Sequence, residues 1–281
     1  MMVRFHRFRR LRFLQPLLLF LICELFCQGQ PPGSLGQANA PLTAEQIVER
    51  MERQNRQRAE ALGQFEGTRV YRMQYRGFPS NRDAEMTVQA MYKSPATKDF
   101  KVLSQSGSKF IIEHIFMKLL EGEKEALQPE NRNRTTLNTT NYDFVLDRSE
   151  STPHGSQYVL SVQPKIKNKF LFRGKIWVDA GDFAVTHLEA EPAKNPSFWI
   201  KKSEITQRYV KVGDFWLPAE NHTESQIRLG GRAILSIEYR DYKITAASPL
   251  NRVESAQDKL IASPSVDAGP LLLEKSPEAP E

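Results

Sequence analysis

An α+β fold built mainly from one antiparallel sheet follows from three features of the 281-residue sequence. Apolar and polar residues alternate over much of 165–242, turn-forming residues recur at short intervals, and only two segments carry helical spacing. Within 170–178, Phe170, Phe172, Ile176 and Val178 share one parity, and Leu171, Lys175 and Trp177 share the other. Successive side chains of a strand point to opposite faces, so this pattern builds a sheet with one greasy surface. Something must cover that surface.

The first helix is predicted from Thr43 to about Leu62. Thr43 and Gln46 have the spacing of a capping box, and Ile47, Val48, Met51 and Leu62 form a thin apolar stripe that suits a helix lying across a sheet. Gly63 is expected to end it. Three strands then follow as a meander. Arg69, Tyr71, Met73 and Tyr75 alternate with Val70, Arg72 and Gln74, while Met86, Val88, Ala90 and Tyr92 alternate with Thr87, Gln89 and Met91. The third covers 99–104, and turns are supplied by 77–81 and by Ser94-Pro95.

From 109 to 127 the period changes. Phe110, Ile111, Ile112, Ile115, Phe116, Leu119 and Leu120 recur at three- and four-residue spacing, predicting a second, more apolar helix. Residues 128–140, with Pro129 and three Asn, read as an exposed polar loop. Strands resume at 141–150, 157–163, 170–178, 183–190, 198–210, 215–226 and 233–244. Gly181 and Gly213 sit in tight turns where a glycine supplies positive φ, and Gly230-Gly231 reads as another hairpin turn. Residues 247–281 are rich in Ser, Pro, Ala and charge and are expected to be disordered, Leu271 to Leu273 being a small apolar exception.

The N-terminus carries an address. Arg4, Arg7, Arg9, Arg10 and Arg12 precede a thirteen-residue apolar stretch, 14–26, interrupted by Pro16 and Glu24. It is too short to span a bilayer comfortably and reads as a secretory signal peptide over 1–29, with a flexible leader over 30–41. Cleavage before Gln30 fits Cys27 and Gly29; Ala38 and Ala40 offer a second small-x-small site. Both cysteines, Cys23 and Cys27, lie in this segment, and neither is preceded by the small residue a lipoprotein motif needs. A chain cut after Gly29 has no thiol for catalysis, metal or disulfide. Losing five Arg and one Glu also takes the formal charge from +6 to +2. A nucleic-acid partner, which needs a clustered cationic surface, is not expected.

Catalytic motifs are lacking. His114, His154, His187 and His222 form no i, i+4 pair and no HExxH array, and neither a GxSxG elbow nor a Walker loop occurs. No catalytic residue, metal or cofactor is therefore expected. Three Asn-x-Thr sequons, at Asn133, Asn138 and Asn221, carry no expectation of use. The aromatic stripes have two readings, an ordinary sheet core or the lining of a cavity in which Met and broad rings repack around acyl chains. Two helices over nine or ten strands leave more apolar sheet than helix to cover it.

Several segments resemble a known family. These are 174–179 (GKIWVD), 182–185 (DFAV), 192–199 (PAKNPSFW) and 212–219 (VGDFWLPA), with the order helix, meander, helix, meander. They resemble the LolA/LolB-like outer-membrane lipoprotein-sorting proteins over about 44–244. The resemblance implies an unclosed β-barrel, a curved antiparallel sheet with helices on the open side, over a domain placed at 42–246. It also implies a non-enzymatic periplasmic carrier that holds lipoprotein or lipid acyl chains in a hydrophobic interior. A membrane-associated donor or acceptor protein would exchange the cargo. By strand parity the cavity lining is predicted as Tyr71, Met73, Tyr75, Met86, Val88, Phe170, Phe172 and Ile176. The lid helix contributes Phe110, Ile115, Phe116 and Leu119. The rivals are an envelope-stress or lipid-sensing regulatory module on the same fold, and a hydrolase, which would need a histidine within reach of a serine and a carboxylate.

Overall fold

The computed structural model describes residues 41–153, 155–228 and 230–247. The predicted signal peptide, the leader to residue 40, the tail from 248 and His154 lie outside the described residues.

Helix α1 (Ala44–Ala61) starts as the sequence predicts. The Thr43 side chain accepts from the Gln46 backbone N–H, and the Gln46 side chain accepts from the Thr43 backbone N–H, a reciprocal capping box. Its end differs from expectation. The chain turns extended at Leu62, whose N–H donates to the Arg58 carbonyl, and Gly63 already belongs to the first strand. A Cβ at Gly63 would lie 2.9 Å from the backbone of Thr245 to Ala247. That glycine serves close strand approach instead of a helix cap.

Ten strands follow: β1 (Leu62–Gly77), β2 (Arg82–Lys93), β3 (Thr97–Gly107), β4 (Tyr142–Thr152), β5 (Gly155–Pro164), β6 (Phe172–Asp179), β7 (Val185–Pro192), β8 (Ile200–Val212), β9 (Phe215–Ile227) and β10 (Gly231–Ala246). They form one curved antiparallel sheet in the order β3-β2-β1-β10-β9-β8-β7-β6-β5-β4. The two meanders join where β1 pairs with β10, from Leu62↔Ala246 to Gly77↔Gly231. Strands β3 and β4 are the two edges and do not pair, so the sheet is unclosed.

Two further helices lie in the chain between those edge strands. Helix α2 is one helical run in which the α-helical pieces Lys109–Ile111 and Met117–Ala126 flank a π-helical turn, Ile112–Phe116. The segment 128–140 is not the exposed loop the sequence predicts. A short helix, α3 (Pro129–Thr135), forms there with Pro129 at its start. Asn131, Thr135 and Leu137 are buried. Asn131 of this segment and Asn141 just after it satisfy backbone carbonyls. Asn131 Nδ2 donates to the Glu125 carbonyl, and Asn141 Nδ2 donates to those of Asn133 and Thr136.

Two further expectations change. At the β6–β7 turn the positive φ belongs to Phe183 (50°) and not to Gly181; at the β8–β9 turn Gly213 does supply it (61°). Phe183 is held there by its ring, which lies against Tyr158 and under the Arg50 guanidinium. In addition, β6 begins at Phe172, so Phe170 precedes it and leaves the parity of Phe172 and Ile176.

The sheet's inner face divides into two packed halves. Ile47, Val48 and Met51 of α1 meet Tyr142, Leu160, Leu171, Phe172, Ile176, Val178 and Leu188 from β4–β7 and their connections. Ile111, Ile112, Phe116, Leu119 and Leu120 of α2 meet Tyr71, Met73, Met86, Val88, Ala233, Leu235 and Ile237 from β1, β2 and β10. Between them the inner face of β8 and β9 carries a run of polar side chains beside Ile205. Ser203 and Ser225 share a hydrogen bond of 2.7 Å, and Asn221 Nδ2 donates to Gln207 Oε1 at 2.9 Å, all four side chains being buried.

Candidate functional site

Under the first half of α2 the packing opens into a cavity of about 560 Å³. Its roof is Phe110, Ile111, His114, Ile115, Lys118 and Leu119 of α2. The floor comes from the inner parity of four strands: Met73 and Tyr75 of β1, Ala233 and Leu235 of β10, Thr223 and Ser225 of β9, and Ser203 and Ile205 of β8. Phe78, Pro79 and Arg82 close it from the β1–β2 hairpin, and Pro196, Ser197 and Trp199 from the β7–β8 connection. The walls are mostly apolar, and the floor carries a short run of hydroxyls.

The mouth is marked by exposed rings. Phe78 is 74% exposed, Phe110 47% and Trp199 42%. Phe198, 75% exposed, stands edge-to-face on Trp199 with the Arg228 guanidinium over its ring. Large apolar side chains gathered in one exposed patch mark an interaction site more often than scattered ones do. Arg82 and His114 belong to the same entrance. Arg82 lies 5.5 Å over the Phe110 ring, and the His114 ring stacks on that same ring at 4.7 Å.

The far end of α2 is fastened. Glu123 is buried, and Arg69 Nη1 reaches both of its carboxylate oxygens at 2.7 and 2.8 Å, while Lys98 Nζ lies 2.7 Å from Oε2. Arg69 also lies over the rings of Phe100 and Tyr239. Burial pushes the Glu123 carboxyl upward, but Arg69 first and Lys98 second outweigh it and hold the group well below the usual carboxylate range. The π turn, Ile112–Phe116, lies within the cavity roof, with Lys118 and Leu119 between it and this anchor. Such turns are rare insertions in α-helices that recur at functional sites.

The predicted lining residues separate into three groups. Met73, Tyr75, Phe110, Ile115 and Leu119 line the cavity. Tyr71, Met86, Val88 and Phe116 are fully buried beside it, in the contact between α2 and the sheet. Phe172 and Ile176 lie in the other half, under α1, and Phe170 is half-buried outside both, with Lys169 Nζ 5.0 Å from its ring. Parity reasoning did not reach Ala233, Leu235, Ile205 or the floor hydroxyls, although the alternation of 233, 235 and 237 carried the signal.

Histidine geometry bears on the hydrolase rival. His222 Nδ1 lies 3.4 Å from Ser236 Oγ on an exposed face, and His187 Nε2 lies 3.2 Å from Glu189 Oε1. His114 Nδ1 lies 3.3 Å from the Phe110 carbonyl. Among the described residues no histidine meets both a serine and a carboxylate, and no three His, Cys, Asp or Glu side chains gather as a metal site. Asn221 is buried, so its sequon is not presented to solvent. Among the described residues no helix is long and apolar enough to cross a membrane.

No family model matches the sequence, and no curated protein matches it. Solved structures do. The chain is similar to a DUF1329 family protein from Desulfovibrio piger, at 11% identity over 77% of this chain and 99% of that one, with a TM-score of 0.37. It is similar to a LolA superfamily protein from Nitrosomonas europaea, at 14% identity over 79% and 98%, with a TM-score of 0.32. It is also similar to the MucA/MucB complex of Pseudomonas aeruginosa, at 10% identity over 73% and 99%, with a TM-score of 0.24. The chain itself has the unclosed, curved antiparallel sheet with helices on its open side that the sequence resemblance to the LolA/LolB-like carriers implied.

Proposed function

We propose that this protein is a non-enzymatic carrier of acyl chains, exported to the periplasm, and that the cavity under α2 is where the chain is held. The supporting observation is the cavity itself, about 560 Å³ of mostly apolar space beside an exposed aromatic mouth. Burial supplies the affinity. Each methylene removed from water contributes about 0.8 kcal/mol, so one long chain gains on the order of 10 kcal/mol before costs. Moving the roof offsets part of that, which leaves binding tight enough for transit and weak enough for release.

The geometry suggests how the roof moves. Glu123 stays fastened to Arg69 and Lys98, and the start of α2, Lys109–Ile111, tilts about the π turn that follows it, opening the cavity toward Phe78 and Trp199. The exposed rings are then the surface that meets the donor or acceptor of the cargo.

A regulatory module remains the second reading, favoured by one feature. Edge strand β3 exposes its outer half, including Val102 and Leu103, and an unpaired edge can take a strand from a protein partner. Native mass spectrometry of protein purified from its own compartment separates the two. A carrier comes with a lipid or lipoprotein adduct and takes up a fluorescent fatty-acid probe. A protein that stays empty and refuses the probe, yet co-purifies with one stable protein partner, rejects carriage.

A further inference from the structure

We infer that the cargo of this cavity is an amphiphile with a single acyl chain and an anionic head, and not a lipid bearing several chains. This rests on the carrier reading and narrows it to one ligand class. Size and charge argue it independently.

Size comes first. A buried cavity of about 150 Å³ takes benzene, six carbons, so about 560 Å³ corresponds to about 20 carbons. That is one long chain with its linkage. Three such chains need roughly three times the space, and the surroundings give little of it. Tyr71, Met86 and Phe116, which back the cavity, are fully buried, and the half under α1 is filled by its own side chains.

Charge is the second argument. The lining contains Arg82, Lys118 and His114, and no Asp or Glu among its described residues. Arg82 comes from the β1–β2 hairpin, and His114 and Lys118 from successive turns of α2, all half-buried. Arg82 has only the Phe110 ring for company, at 5.5 Å, and among the described residues no carboxylate pairs with it. Arg82 from the hairpin and Lys118 from α2, lining one mostly apolar cavity, suit a carboxylate or phosphate, whose charge-assisted hydrogen bonds are strongest where water is scarce. The shared chemistry is one chain carrying one anion, as in a free fatty acid or a lysophospholipid.

Titration calorimetry with the full chain tests this, using palmitate, lysophosphatidylglycerol, lysophosphatidylcholine and a triacylated lipopeptide. Palmitate or lysophosphatidylglycerol, whichever is the source of the anion, binds one per protein. The zwitterionic lysophosphatidylcholine and the lipopeptide bind at least ten-fold more weakly. Arg82→Gln with Lys118→Gln lowers affinity for the anionic ligand at least ten-fold and for lysophosphatidylcholine less than three-fold, with the circular dichroism spectrum unchanged. Equal or tighter binding of the lipopeptide overturns the single-chain assignment while leaving carriage intact. Indifference to head charge, or to the double substitution, overturns the anionic assignment. Failure of all four ligands overturns the carrier reading together with the inference.

Discussion

Arg69 on β1 and Glu123 on α2 meet through a single guanidinium nitrogen that contacts both carboxylate oxygens, at 2.7 and 2.8 Å, in a place where each side chain is nearly inaccessible to water. The pair joins the roof of the cavity to the strand that supplies part of its floor. A buried ion pair is costly to assemble and costlier to leave half-made, because the remaining charge has no solvent.

Glu123→Ala therefore leaves Arg69 and Lys98 buried without their common partner. The expected loss is about 3–5 kcal/mol in urea unfolding. Glu123→Gln, which keeps the shape and one acceptor, costs less. In both variants hydrogen exchange rises across residues 109–126 before the strands are affected, if the pair fastens the roof. Uniform exchange throughout the molecule contradicts that role.

The same carboxylate gives stability a pH signature. Its folded value, depressed from 4.5 to about 2 by Arg69 and Lys98 against the effect of burial, lies below its unfolded value. The contribution is thus complete above about pH 4.5 and disappears as pH falls toward about 2. Urea midpoints measured down this range should fall more steeply for the wild-type chain than for Glu123→Gln. Parallel curves contradict the assignment.

Ala233 and Leu235 stand on the cavity floor, so Ala233→Leu and Leu235→Trp fill space that a guest would otherwise take. Uptake of a fluorescent fatty-acid probe should drop at least ten-fold, with stability changed by no more than about 1.5 kcal/mol because the added bulk enters existing space. Undiminished uptake by both variants relocates the guest.

At the mouth, Phe78→Ser and Trp199→Ser remove exposed rings. Surface changes of this kind alter stability by about 0.5 kcal/mol or less. Stopped-flow transfer of the probe from vesicles should slow several-fold while the equilibrium affinity for free probe moves little. A loss of affinity without a loss of rate assigns the rings to holding the guest instead of admitting it.

Gly174→Ala tests the sheet itself. Gly174 has φ +152°, and a Cβ there would sit 2.1 Å from the Glu189 carbonyl oxygen and 2.7 Å from the Ala190 Cα. Backbone cannot yield as a flexible side chain does, so a loss of at least about 2 kcal/mol is expected in thermal or urea unfolding. A silent substitution shows that β6 and β7 can shift apart.

Strand texture made most of the fold readable, because one buried face imposes a period of two on every strand. Ten strands were expected and ten form, nine of them within about four residues of the expected bounds and β1 starting seven residues early at Leu62, and the Thr43–Gln46 capping box located α1. The misses have local causes. Gly63 looked like a helix stop, since the sequence does not show that β10 passes against it. Residues 128–140 looked like loop because Asn is common in loops, yet Asn131 binds the Glu125 carbonyl and the neighbouring Asn141 binds those of Asn133 and Thr136. Phe170 looked inward by counting back from Phe172, but β6 starts two residues later.

The site was less legible than the fold. Arg69 shares the inward parity of Tyr71 and Met73, and Glu123 falls three residues after Leu120, so a buried charge seeking a partner was visible from both sides. Only the tertiary fold brings the two together, across 54 positions. Ser203, Thr223, Ser225, Gln207 and Asn221 are polar residues on an inner face, which alternation alone assigns outward. Trp199 and Phe78 stand in turns, where parity says nothing.

The hydroxyl and amide column on β8 and β9 separates a solid compartment beneath α1 from a hollow one beneath α2. Wear on the two should leave different traces over generations of mutation. Errors in the solid compartment reduce how much protein survives, whereas errors in the hollow one change what the surviving protein carries, so cargo preference can drift without the scaffold having to be rebuilt.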